Sequence, residues 1–266
     1  MKLRTLAWIT FVSFFRNKLI ILFFAVFLGV ILLFMTPLLT FKSMATDNPA
    51  QVQAMIVSML SLISMMVSGF GSLLAAWAAA DAVASEMRTG TIMAVMARPV
   101  RRWEFLLGKY IGVEMLMLVY VAFMVAVTYI MAGIAGQRLV TNPWVLVVYP
   151  MVRYSLYAAI AIWMVTFMHP ILAFVVVLIW SALANAVSPG SSGGHWIPDA
   201  LRSGLYYVLP SAELLSESNF LAITTAALKQ RPWTDHLTAL AYGLDYALVC
   251  FLLAAWSFRR RSLARE

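Results

Sequence analysis

The chain has 266 residues, of which 63% are hydrophobic and 11% charged. The charged share is under half the ~25% usual in soluble proteins, and several apolar runs reach the ~20 residues that cross a bilayer core of about 30 Å, so a soluble fold is excluded. The net charge of +8 is then no sign of nucleic acid, because basic residues of membrane proteins gather at the cytoplasmic ends of spans, facing anionic lipid. The one cysteine, Cys250, rules out an intrachain disulfide and a thiolate metal cluster. Inside an apolar run it reads as a small buried side chain.

Residues 1–18 come first. Lys2, Thr5, Thr10, Ser13, Arg16 and Asn17 share one arc of a helical wheel, and Leu3, Leu6, Ile9, Phe11, Phe14 and Phe15 fill the rest. The pattern predicts an amphipathic helix in the membrane interface, although Arg4 and Lys18 stray from the arc. The first span is predicted at 19–39. Its 21 residues exceed the ~7–15 of a signal-peptide core, so it reads as a retained span.

The second run, 52–80, would be about 43 Å long as a helix and must tilt or project. Ser58, Ser61, Ser64, Ser68, Gly71, Ser72, Ala75, Ala78 and Ala79 recur at helical spacing along it. Small side chains let membrane helices approach closely, so this face reads as a helix–helix seam. A serine-lined substrate path is the alternative.

The segment 84–109 separates the second run from the third. It carries Arg88, Arg98, Arg101, Arg102 and Lys109, which marks a cytoplasmic loop. Its middle, Thr91 to Ala97, has no charge on any face. A short helix that is apolar all round must be buried against lipid, its own chain or a partner, and a cytoplasmic partner is expected.

Further spans are predicted at 110–134, 144–167, 171–187 and 237–258. His169-Pro170 turns the chain between the fourth and fifth. Residues 188–236, with SPGSSGGHWIP and Pro210, form an external segment with short interfacial or re-entrant helices. No internal repeat is evident. The expectation is one all-α transmembrane domain over 1–266, with six spans and both termini cytoplasmic. Thirteen Lys and Arg fall in segments then assigned to the cytoplasm and six elsewhere, which supports that orientation.

The chain has no G-x-x-x-x-G-K-[ST] and no H-E-x-x-H, so neither a P-loop nor that zinc motif is present. His169, His195 and His236 are dispersed, and no metal site is expected. Gly190-Ser191-Ser192-Gly193 matches the G-x-S-G of rhomboid-like serine proteases, with His236 as a possible base. In those enzymes the serine opens a span, whereas here G-H-W-I-P follows, and a flexible loop is the simpler reading. Two charges lie well inside predicted spans, Arg153 and Asp245, each roughly 12–14 Å deep. Such charges pair or line a wet cavity, so a contact or a shared polar pocket is expected. The alternative for Arg153 is snorkelling to the outer headgroups. Asp81, Glu86 and Glu114 are expected near the inner face, within reach of Arg88, Arg98 or Lys109.

Glu86 to Lys109 resembles the coupling region of an ABC type-2 permease, the membrane half of an ABC exporter. The resemblance rests on Glu86, Gly90-Thr91, the apolar stretch Ile92 to Ala97, Pro99, Arg101-Arg102 and Leu106-Leu107-Gly108-Lys109. The layout, with Leu209-Pro210 before an acidic helix in the external piece, is also similar to permeases serving nitrous-oxide reductase maturation. The resemblance implies a coupling helix formed by Thr91, Ile92, Met93, Val95 and Met96, docked in a separate ATPase subunit. Gly90 would open it and Pro99 end it, with Arg101 and Arg102 at the motor's acidic rim or the headgroups. It further implies two ATPase subunits holding ATP and magnesium, no cofactor in this chain, and a second permease copy, a homodimer before a heterodimer. A membrane scaffold that uses the loop only for docking is the competing reading.

Overall fold

The computed structural model describes residues 2–43, 49–88, 101–134, 143–187 and 233–260, with isolated positions at 198, 202, 204–205, 209–210 and 215. Among these residues lie seven helices and no strand: α1 (Lys2–Arg16), α2 (Lys18–Ser43), α3 (Pro49–Arg88), α4 (Arg102–Ile134), α5 (Pro143–Val165), α6 (Pro170–Val187) and α7 (Trp233–Arg260). Five contain stretches long and apolar enough to cross a membrane: Lys18–Pro37, Met65–Met87, Arg102–Ile134, Trp144–Val165 and Trp233–Arg260. The apolar stretch of α6, Pro170–Ala184, is shorter.

α2, α3, α4 and α7 outrun the boundaries predicted from hydropathy, α3 and α4 by the most. α3 has 40 residues and α4 has 33, about 60 and 50 Å of helix against a ~30 Å core. Hydropathy ends a span where charge begins, but charge does not end a helix. Residues 84–88 and 102–109, predicted as loop, are therefore helical, and the two longest helices lead into and out of the segment between them.

α5 is the hub, packing against α3, α4, α6 and α7. Tyr154 through Ile162 are buried without a break, as expected of a helix apolar on every face. The α3 seam is real between Ser68 and Ala84: Ser68, Gly71, Ala75, Ala78 and Ala79 are buried. Farther out, Ser58 of the predicted seam is exposed, as are Met55, Leu62 and Met65. α7 presents a second small-residue stripe, with Ala239, Gly243, Ala247, Cys250 and Ala254 buried. A Cβ added to Gly243 would stand 2.5 Å from Val152 Cγ1, so α7 lies nearly backbone to side chain on α5. The opposite faces of α2 and α7 expose Leu22, Leu32, Leu33, Leu248 and Leu252, an apolar surface suited to acyl chains or to another membrane helix.

His169 caps α6. Its Nδ1 accepts the Ile171 N–H at 3.4 Å and its carbonyl accepts the Ala173 N–H at 2.9 Å. Pro170 follows at the helix start, where its missing N–H costs nothing.

Candidate functional site

The roots of the segment between α3 and α4 are tied to the bundle by side chains of opposite chemistry. On the α3 side, Glu86 Oε1 accepts from Lys109 Nζ of α4 in a charge-assisted bond. Lys109 is buried and also lies over the Phe105 ring, 5.7 Å from its centroid. On the α4 side, the Arg101 N–H donates to Glu104 Oε2 at 2.9 Å, the return half of a capping box that satisfies an N–H at the helix start. Arg102 then reaches α7, where Nη1 donates to the carbonyls of Phe258 at 3.3 Å and Arg259 at 3.0 Å. The last carbonyls of a helix lack intrahelical partners and carry partial negative charge, so a guanidinium satisfies both needs. Beneath it, Phe105 stacks on Phe258 at 6.0 Å and 15°. Of the two arginines read as facing a motor or headgroups, Arg101 is exposed and Arg102 has its guanidinium on α7.

The amino-terminal helix is anchored at the same end. Asn17 interrupts the helix between α1 and α2. Its Oδ1 accepts the Leu19 N–H at 3.0 Å, capping α2, and its Nδ2 donates to Asp81 Oδ2 of α3 at 2.7 Å. α1 packs on α4 through Gly108 and Gly112. A Cβ at Gly108 would fall 2.5 Å from Leu6 Cδ2, and one at Gly112 would fall 2.7 Å from Thr10 Cβ. Thr10, placed on the polar arc by the helical wheel, is buried, and its hydroxyl turns back to the Leu6 carbonyl at 2.9 Å. Trp8, Ile9 and Phe15 remain exposed. Sequence reasoning missed the capping role of Asn17 and the packing role of these glycines; the signal for the latter was Gly108-x-x-x-Gly112, a close-approach motif.

A second polar group lies within the spans, around Gly71. Arg153 Nη1 donates to Ser68 Oγ at 2.9 Å, and its guanidinium lies 5.9 Å from the Tyr157 ring centroid. Tyr120 donates to the Val67 carbonyl at 2.6 Å and Tyr154 to the Ser68 carbonyl at 3.4 Å. A Cβ on Gly71 would stand 2.3 Å from Tyr154 Oη and 2.6 Å from Tyr120 Cε1; only glycine leaves room for both rings. Asp245 stands on the exposed side of α7, with Tyr242 and Tyr246 flanking it at 6.3 Å between ring centroids. At the far end of α5 and α7, Trp144 and Trp233 stack at 5.4 Å and 8°, and Tyr149 Oη lies 2.7 Å from His236 Nδ1. Gly90, Thr91, Ile92, Met93, Val95, Met96, Arg98, Pro99 and Ser192 lie outside the described residues.

A family model described as ABC-2 family transporter protein matches residues 4–263. The chain belongs to that family. No curated protein matches it. The ABC-2 permease is thus a multi-pass membrane protein and a transmembrane component of a transporter, and the family typically works with an ABC ATPase subunit.

Proposed function

We propose that this ABC-2 permease exports its substrate across the cytoplasmic membrane of a bacterium or archaeon, driven by ATP hydrolysis in a separate subunit that grips Thr91–Ala97. The observation that carries this reading is the fixing of the segment's two roots. Glu86–Lys109 joins α3 to α4, and Arg102 joins α4 to the end of α7. A push on the segment is then delivered to three helices together. Docking would bury Ile92, Met93, Val95 and Met96, worth roughly 1.5–3 kcal/mol each when fully desolvated. ATP and Mg²⁺ belong to two motor subunits, and closure of that pair would tilt the helices.

The working unit has two permease copies, each with six spans, α2 to α7, and both termini in the cytoplasm. The position of Asp245 supports a second copy. It lies near the middle of α7 on the exposed side, and a carboxylate facing acyl chains is costly. A neighbouring permease, or the wet path between the two, would relieve that cost.

Co-purification tests the reading. An ATPase subunit should accompany the wild-type permease and be lost with Met93→Asp or Val95→Asp. If both variants retain the motor and its stimulated activity, the assignment of 91–97 is wrong.

A further inference from the structure

Glu114 takes no part in the reading above. It lies on α4, about 7.5 Å farther into the span than Lys109. The side chain is partly buried, and its Oε1 is closed to solvent with no hydrogen-bond partner among the described residues. Tyr110 stands one turn away on the same face of α4, and its hydroxyl meets Ser155 of α5. Tyr110 also donates to the Ser155 carbonyl at 3.3 Å. The Tyr110 ring packs on Phe251 of α7 at 5.4 Å, and Cys250, the ionisable neighbour on that helix, is buried.

Three charged groups of the packed helices have partners away from Glu114. Lys109 binds Glu86, Asp81 accepts from Asn17, and Arg153 donates to Ser68. From α1, Thr10 turns its hydroxyl back on Leu6. Among the described side chains Lys109 pairs with Glu86, and no cation stands against Glu114. An ionised carboxylate inside a span with no counter-charge is the costliest state this side chain can take, whereas the neutral acid needs only hydrogen bonds.

We propose that Glu114, Tyr110 and Ser155 form an intramembrane proton-binding site where α4 meets α5 and α7. With the helices packed as they are here, a proton from water is bound to the Glu114 carboxylate through a new O–H bond, which cancels its charge. When the contact opens to water, that bond breaks and the proton returns to solvent. Any rearrangement that wets this contact is thereby linked to proton release, and any that dries it to uptake. The site is independent of what grips residues 91–97.

Infrared spectroscopy of the full-length permease in lipid vesicles at neutral pH tests this. The expected result is a carbonyl stretch of a protonated carboxyl that is lost in Glu114→Gln and shifted, not lost, in Tyr110→Phe and Ser155→Ala. A spectrum identical in wild type and Glu114→Gln overturns the proposal, and a band unmoved by both hydroxyl deletions removes Tyr110 and Ser155 from the site. Should Glu114→Gln fail to accumulate, wild-type permease is treated with dicyclohexylcarbodiimide, which reacts with protonated buried carboxyls. An adduct on Glu114 that forms faster at acid than at alkaline pH supports the site. Adducts on other carboxyls with none on Glu114 overturn it.

Discussion

Gly112 lies against Thr10 so closely that one added carbon would stand 2.7 Å from Thr10 Cβ and 3.0 Å from the Ala7 carbonyl oxygen. The second neighbour is backbone and cannot rotate away. Gly112→Val should therefore lift α1 from α4 and cost about 1–3 kcal/mol, the usual range for overpacking. A lowered melting temperature, with new protease cleavage between α1 and α2, would show it.

Lys109 and Glu86 test the link between α3 and α4. Replacing one partner leaves the other charge stranded. Lys109→Met should cost about 2–3 kcal/mol, below the ~3–5 kcal/mol of a fully buried pair, because Glu86 keeps 21% exposure. The double variant Glu86→Gln with Lys109→Met should recover most of the loss. A double-mutant cycle from denaturation midpoints measures it, and additive losses would mean the pair contributes nothing.

Arg102 should matter locally. Arg102→Met removes the donor to the Phe258 and Arg259 carbonyls, a contribution of about 0.3–1 kcal/mol at a helix end. Hydrogen exchange in the last turn of α7 is the measurement. It should quicken there and stay unchanged in the middle of α5. Arg102→Lys, with a point charge in place of a fork, should fall between.

Asp245 separates a wet or subunit-facing surface from a lipid-facing one. In a Cys250→Ala background, Asp245→Cys should react with a membrane-impermeant thiol reagent or cross-link two permeases. Leu244→Cys, exposed but about 100° round the same helix, should do neither. Equal silence at both positions would put Asp245 in lipid.

Five of the long apolar helices were legible because the bilayer imposes a length, and a run such as 144–167 of near-continuous apolar residues has one stable outcome in lipid. The α3 seam was legible for the same reason, since small residues at helical spacing have little other use there. Less legible was everything that depends on a distant partner. The helical wheel placed Thr10 with Lys2 and Arg16, yet Thr10 is buried because two glycines a hundred residues later leave a trough for it. Arg102 reads as a surface charge until the end of α7, more than 150 residues away, is folded against it. Asn17 looked like one more polar residue before a span, while its role as a cap that also holds Asp81 needs the third helix in place. Glu86 with Lys109 was one of several inner-face pairings within reach, because both lie at the ends of neighbouring spans, and the sequence did not single it out.

The seat of α1 has a consequence for how the permease is made. α1 rests on Gly108 and Gly112, which are synthesised about a hundred residues after it. At about 5–20 residues per second, it must wait on the order of ten seconds, with Ala7, Thr10 and Phe14 uncovered. The seat of this helix is therefore complete only once α4 has been made.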